Sequence, residues 1–161
     1  MARACRNPAP ASMLGTGSVM RTPDIVGVMV SIEDAARMAT ELPAVTEGTR
    51  FGNRTWFVRD KGFLWERPFS KADLKRFGTD TPPDGPIMAA IVEDLGEKEA
   101  VLASGVPGLF TISHFDNYPA VLIHMRTVTK RAMREVVVDA WLACAPAALA
   151  AEFVASSRRR R

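Results

Sequence analysis

The stretch that decides the fold is residues 45–67, VTEGTRFGNRTWFVRDKGFLWER. It contains three runs rich in β-branched and aromatic residues, at 45–51, 54–59 and 63–67, which favour strands. Gly52-Asn53 separates the first two runs and Asp60-Lys61-Gly62 the last two. Asn and Gly tolerate the positive φ that tight hairpin turns need. We therefore expect an antiparallel meander whose first turn lies at Gly52-Asn53.

Outside this meander, helical and extended patterns alternate. Ser31, Ser70 and Thr129 stand where helix N-caps are expected, before helices predicted at 32–42, 71–77 and 130–145. Further helices are predicted at 94–103 and after Pro146, and further strands at 87–92, 109–112 and 120–125. The pattern predicts a single α+β domain. It has an antiparallel sheet of about six strands, an N-terminal helix, interspersed short helices and a long C-terminal helix.

The ends of the chain differ from its middle. Residues 1–28 offer scattered Ala, Pro, Gly and Ser without an apolar signal region, so we expect a disordered or weakly ordered extension with Met1, Met13, Met20 or Met29 as start. The folded domain is predicted at 29–156 and a basic tail at 157–161. No apolar run approaches the roughly 20 residues of a membrane span. With only two cysteines, Cys5 and Cys144, a cytoplasmic protein without disulfides or zinc is expected.

Charge is segregated along the chain. The whole chain has a net charge of +3, but the two ends supply it, and residues 23–157 sum to −4. Residues 50–76 hold eight Lys or Arg against three acids, whereas residues 77–125 hold one Lys against seven acids. A basic segment inside an acidic domain is a candidate contact for phosphates.

Five stretches together resemble the MmcQ/YjbR family. They are LPAVTEGTRFGNRTWFVRDKGFLWERP, KADLKRFG, DGPIMAAIVEDLGEKEAVL, FTISHFDNYPAVLI and DAWLACAP, in this order over most of residues 31–149. The resemblance implies a "double wing" α+β fold and DNA binding. Two positions depart from the family pattern: Ser113 stands where Pro is expected and Asn117 where Gly is expected.

The DNA-binding interpretation rests on the basic residues of the meander. They would contact the DNA backbone, with DNA as the partner: Arg50, Arg54, Arg59, Lys61 and Arg67. The alternative is that they form surface ion pairs with Glu47, Asp60 and Glu66. Likewise Trp56, Phe63 and Trp65 could stack on bases or belong to the core.

The HFDNYP loop, residues 114–119, supports a different interpretation. His114, Asp116 and Tyr118 would bind a small ligand, or the loop would bind a basic protein partner. An imidazole oriented by a carboxylate is also how a general base is built, but a loop Asp more often bonds its own turn. No catalytic or phosphate-binding motif accompanies the loop, so we expect no enzyme, no cofactor and no metal. Oligomeric state is left open.

Overall fold

The computed structural model of the chain describes residues 29–161. The extension predicted at 1–28 lies outside the described residues. Within the described range the elements follow one another as α1 (Ile32–Thr40), β1 (Val45–Arg50), β2 (Asn53–Val58), β3 (Lys61–Glu66), α2 (Lys71–Phe77), β4 (Ile87–Ile91), α3 (Leu95–Ala103), β5 (Leu109–Phe110), β6 (Ala120–His124), α4 (Lys130–Cys144) and α5 (Ala147–Arg159). A short 3-10 helix, Ser113–Phe115, lies between β5 and β6.

The six strands form one sheet in the order β1-β2-β3-β4-β6-β5, and every neighbouring pair is antiparallel. The first three strands are the predicted meander, which forms one half of the sheet. The predicted fold class is confirmed: a single α+β domain with an N-terminal helix, short helices between strands and long helices at the C-terminal end.

The main core lies between one face of the sheet and helices α1 and α4. Every second residue of β4 and of β6 points to this face and is buried there; Met88 and Ile123, which are cross-strand partners, are examples. The large side chains of Trp56 and Trp141 are completely buried there. The indole N–H of Trp141 also donates to the Pro43 carbonyl at 3.0 Å, which ties α4 to the chain between α1 and β1.

A smaller apolar cluster lies on the opposite face of the sheet. The alternate residues of β4 and β6, Ala89 and Leu122 among them, point there because side chains of a strand alternate between faces. No long helix covers this face among the described residues; Phe115 and the half-buried Phe69 and Phe110 pack over it instead. This face of the sheet is less covered than the other. The candidate site lies on it, at the half of the sheet formed by the meander.

The helix starts agree with the predicted caps. Ser31 forms a capping box with Asp34, and Ser70 forms a second with Asp73, each hydroxyl accepting from the backbone N–H three residues on. Thr129 caps α4 by accepting from the Ala132 N–H at 3.1 Å. These signals are local, so the sequence predicts them well.

Both turns of the meander differ from their predicted positions. Arg50 pairs with Asn53, so the first turn is Phe51-Gly52 and not Gly52-Asn53. Phe51 and Gly52 have φ of 51° and 79°, as a two-residue type I′ turn requires. Val58 pairs with Lys61 across the second turn, which places Lys61 in β3 instead of in the predicted turn. Register within the sheet overrides the preference of Asn for a turn.

Other element boundaries also differ from the predicted ones. The strand predicted at 109–112 is hydrogen-bonded to β6 only at Leu109 and Phe110. Helix α5 continues to Arg159, so three residues of the predicted basic tail are helical. None of the described helices combines the length and the apolar content needed to cross a membrane.

Candidate functional site

A cavity of about 430 Å³ opens on the less covered face of the meander. It lies between the β1–β2 hairpin tip, the exposed face of β2 and β3, and the loop before β6. We call it the aromatic pocket, and its lining residues are Arg50, Phe51, Asn53, Thr55, Gly62, Trp65, Arg67, His114, Phe115 and Tyr118. Four of these ten are Phe, Trp or Tyr, although such residues make up 7% of the chain.

Strand alternation builds the floor of the pocket. Thr55 on β2 and Trp65 on β3 are direct cross-strand partners and share the face that Asn53 also occupies. The Thr55 hydroxyl donates to the Asn53 carbonyl at 3.1 Å. Gly62 leaves room here, because a Cβ at that position would come within 3.0 Å of the Thr55 methyl group. The floor is thus set by register and by one missing side chain.

Arg67 forms one wall and is held firmly. Its guanidinium pairs with the Asp73 carboxylate at 3.0 Å, donates to the Pro68 carbonyl at 2.7 Å and lies 5.3 Å from the ring centroid of Phe115. Burial alone would raise the pKa of Asp73. The hydrogen bonds from Ser70 and the ion pair with Arg67 outweigh burial, and the pKa lies below its usual value. Asp73 therefore stays ionised and fixes the direction of Arg67.

The loop that carries His114 and Tyr118 is fastened from behind by Lys98 on α3. The residue is only 4% exposed, and its ammonium donates to the carbonyls of Phe115 and Tyr118, the latter at 3.0 Å. Burial lowers the pKa of Lys98, while the nearby Asp116 carboxylate opposes that shift. Sequence reasoning missed Lys98. The one available signal was a single lysine among seven acids in residues 77–125.

The remaining polar groups of the pocket are free to meet a ligand. Among the described residues, the Arg50 guanidinium has no carboxylate partner and lies 5.3 Å from the Phe51 ring centroid. Within the same range, no hydrogen bond occupies the imidazole of His114 or the hydroxyl of Tyr118. The Tyr118 ring is held edge-on against Trp65 and Phe115, at centroid distances of 6.4 and 5.8 Å. The polar groups are thus carried by a packed aromatic frame.

The charge of the lining is positive. It contains Arg50 and Arg67 and no carboxylate; the carboxylate that pairs with Arg67 belongs to Asp73, which is buried outside the lining and also pairs with Arg76 at 3.3 Å. A partly enclosed cavity raises the strength of such electrostatic attraction over that in open water. The pocket is suited to an anion.

The five basic residues predicted to bind DNA do not form one surface. Arg50 and Arg67 line the aromatic pocket, whereas Arg59 and Lys61 lie at the turn at the opposite end of β2. Arg54 points to the other face of the sheet. There it pairs with Glu33 at 2.7 Å, Glu47 at 2.6 Å and Glu66 at 3.8 Å, which raises its pKa further. For Arg54, the ion-pair alternative is the one observed.

The HFDNYP residues are also divided. His114 and Tyr118 line the aromatic pocket, but Asp116 does not, and no hydrogen bond joins it to His114 in the part of the chain described. Of the three aromatic residues considered for stacking, Trp56 and Phe63 are buried in the core, and only Trp65 reaches the pocket. The aromatic pocket thus contains some residues of the predicted DNA-binding set and some of the predicted ligand-binding set.

A second cavity, of about 390 Å³, lies between α3, α4 and the sheet. It is lined by aliphatic side chains and by Glu93, Glu97 and Asp139. Burial, together with Glu97 and Glu135, raises the pKa of Asp139. Over residues 29–161, no group of three or more His, Cys, Asp or Glu is arranged to hold a metal ion.

Comparison with known proteins gives relatives without an assigned activity. The chain is 38% identical to the uncharacterised protein Rv2570 of Mycobacterium tuberculosis over 132 residues, covering 80% of this chain and 99% of the relative. It shows the same identity and coverage with the uncharacterised protein Mb2600 of Mycobacterium bovis. No family model matches the chain, and no solved structure matches it significantly.

Proposed function

The chain belongs to the family of these uncharacterised mycobacterial proteins, and we propose that it binds a small anionic molecule in the aromatic pocket. The proposal is for a binding protein and not an enzyme. His114 and Asp116, which sequence reasoning considered as a general-base pair, do not bond to each other among the described residues. No other pair of groups in the lining has that arrangement.

One observation carries the proposal: the aromatic pocket holds two arginines and no carboxylate. Arg67 is fixed by its buried partner, and Arg50 has unused donors. The side chains of His114 and Tyr118 add further hydrogen-bonding groups for an oxyanion. The volume of the aromatic pocket, about 430 Å³, falls within the range of ordinary small-molecule sites.

The test is a calorimetric titration of the full chain with inorganic pyrophosphate and with citrate, two compact anions. We expect saturable binding of at least one of them. Arg50→Ala should weaken that binding by about tenfold or more, because a charge-assisted hydrogen bond contributes roughly 1.5–3 kcal/mol. Arg50 is exposed and outside both cores, so the variant should keep its fold.

Lys61→Ala is the matched control. It removes the same charge from the same sheet, but at the far end of β2 and away from the pocket. If Lys61→Ala weakened anion binding as much as Arg50→Ala, the attraction would be one of net charge and the pocket would not be the site. Absence of saturable binding for both anions would refute the proposal.

DNA binding is the second candidate, and the hairpin tip favours it. Arg50 ends β1 and Phe51 begins the turn, which places a cation beside an aromatic ring that is 90% exposed. Such a tip can reach a phosphate and a base at once. The separation of the other basic residues, and the engagement of Arg54 by three carboxylates, count against a continuous DNA surface.

A further inference from the structure

Phe51 is the residue of the aromatic pocket whose presence is not explained by a contribution to the stability of the fold. Its side chain is 90% exposed although it is large and apolar, and its backbone has a φ of 51°. A non-glycine residue rarely adopts this conformation, and a bulky aromatic residue does so at a cost in conformational energy. The neighbouring Asn53 is far better suited to the turn. Exposure and backbone strain at one pocket residue point to a functional reason for the ring.

The position of Phe51 indicates what the ring could do. It lies at the rim of the pocket, on the only hairpin tip that the lining includes, with the Arg50 guanidinium 5.3 Å from its centroid. The lining also includes Trp65 on the floor, half-buried, and Tyr118 on the loop, 46% exposed, which are held edge-on to each other. A flat group that entered between the tip and these residues would meet aromatic surface on both sides.

We infer that the ligand of the aromatic pocket carries a planar aromatic ring beside its anionic group, and that Phe51 stacks on this ring. The inference rests on the proposed anion binding and adds the second half of the ligand. Arg50 would then contact both parts of the ligand, since it lies next to the stacking ring and is free to bind the anion. A phosphate or a carboxylate could supply the anion.

Two pairs of probes test the inference by calorimetry on the full chain. Adenosine monophosphate and ribose 5-phosphate differ by a planar base. Benzoate and cyclohexanecarboxylate differ by the planarity of one ring. We expect the planar member of at least one pair to bind about tenfold more tightly or better, as stacking on an aromatic side chain usually provides. The pair that responds identifies phosphate or carboxylate as the preferred anion.

Phe51→Asn is the decisive variant, because Asn-Gly is the most favourable sequence for a two-residue type I′ turn and the hairpin should persist. Its melting temperature checks that the fold is kept. The preference for the planar probe should fall to about onefold in Phe51→Asn and should be retained in Phe51→Tyr. Arg50→Ala should weaken both members of a pair, and the planar member at least as much, because Arg50 contacts the anion of both and the ring of the planar member only.

The outcomes separate this inference from the proposed function. If the anions bind but planar and non-planar members bind equally, or if Phe51→Asn keeps the planar preference, the stacking inference is overturned and anion binding stands. If pyrophosphate and citrate both fail to bind, the proposed function is overturned and this inference falls with it. If they bind and none of the four probes does, only the stacking inference is overturned. If Phe51→Tyr loses the preference as Phe51→Asn does, the effect is one of turn shape and stacking is refuted.

Discussion

At the scale of the residue, two side chains outside the aromatic pocket define its shape. Lys98 lies behind the loop and holds two of its carbonyls, and Asp73 lies behind the wall and holds Arg67. Both are buried, charged and compensated by partners, which is the condition under which such groups persist in an interior. Lys98 was not singled out from the sequence, because the carbonyls that it holds lie 17 and 20 residues away and local pattern reading does not reach them.

Replacing Lys98 should loosen the pocket loop. Lys98→Met keeps the aliphatic stem but leaves the carbonyls of Phe115 and Tyr118 unpaired. We expect a loss of about 2 kcal/mol in unfolding free energy, or roughly 4–8 °C in Tm. Hydrogen exchange at the Tyr118 amide, which bonds to the Phe115 carbonyl, should accelerate.

Lys75→Met, on the exposed side of α2, is the control and should change neither quantity. An unchanged exchange rate at Tyr118 in Lys98→Met would mean that the loop holds its shape without the lysine.

Asp73 should make stability depend on pH in the acid range. The folded state lowers its pKa, so the stabilisation is fully present above the unfolded pKa, about 3.9, and is lost as pH falls through the folded pKa. Asp73→Asn lacks the charge at every pH and leaves Arg67 without its buried partner. At pH 6 we expect a loss of about 3 kcal/mol, roughly 6–12 °C in Tm.

The difference between wild type and Asp73→Asn should stay constant from pH 5 to about 4 and shrink as the pH of the thermal melts is lowered from about 4 to 3. Asp80→Asn, in the exposed loop after α2, should track the wild type within about 0.5 kcal/mol. A difference that stays constant down to pH 3 would show that the ion pair is not its source.

At the scale of the element, the β1–β2 hairpin connects the fold to the site. Its strands bury Trp56 and Val58 on the core side, and its tip supplies Arg50 and Phe51 to the pocket. Edge strand β1 is mostly exposed, so it contributes little to the core, and its hydrogen bonds to β2 position the tip. The element thus serves the site at some cost in local stability.

That cost is measurable in the same turn. Phe51→Asn should raise the unfolding free energy by about 1 kcal/mol, or roughly 2–4 °C in Tm, because it removes an exposed apolar side chain from a positive φ. Thermal melts of wild type, Phe51→Asn and the exposed-site control Thr49→Asn would measure it. A destabilised Phe51→Asn variant would show that the ring packs favourably at the tip.

At the scale of the whole molecule, three regions carry charge, and its sign is not the same in all of them. The sheet face with the pocket is positive, the cavity between α3 and α4 is lined by three carboxylates, and the arginines from Arg158 on lie at the end of α5. Residues 23–157 carry a net charge of −4. Any attraction to DNA must therefore come from local features and not from the body as a whole.

Salt dependence of DNA binding tests this distribution. If the hairpin tip contacts duplex DNA, Arg50→Ala should make the slope of log affinity against log salt shallower by about one unit. Arg54→Ala should leave the slope unchanged, because three carboxylates already hold that guanidinium. Fluorescence anisotropy at four or more salt concentrations measures all three slopes.

Deletion of 158–161 should reduce a sequence-independent contribution to the same affinity. If the deletion abolished binding while Arg50→Ala had no effect, the C-terminal arginines alone would account for DNA binding, and the tip would belong to the small-ligand pocket only.

The sequence by itself determined the elements and the caps. The strands of the meander and the N-caps at Ser31 and Ser70 depend on residues within a few positions of one another, so local propensity predicts them. It also nominated most of the polar groups of the site, but in two separate sets.

Only the tertiary structure decided which of those groups meet. Strand register moved the first turn by one residue and placed Phe51 at its tip, and strand alternation sent Arg54 to one face and Arg67 to the other. The β6-side loop came to Arg67 because β3 and β6 both pair with β4. Pairing between strands far apart in sequence is set by the packing of the whole sheet, so no local pattern records that one pocket joins the two sets.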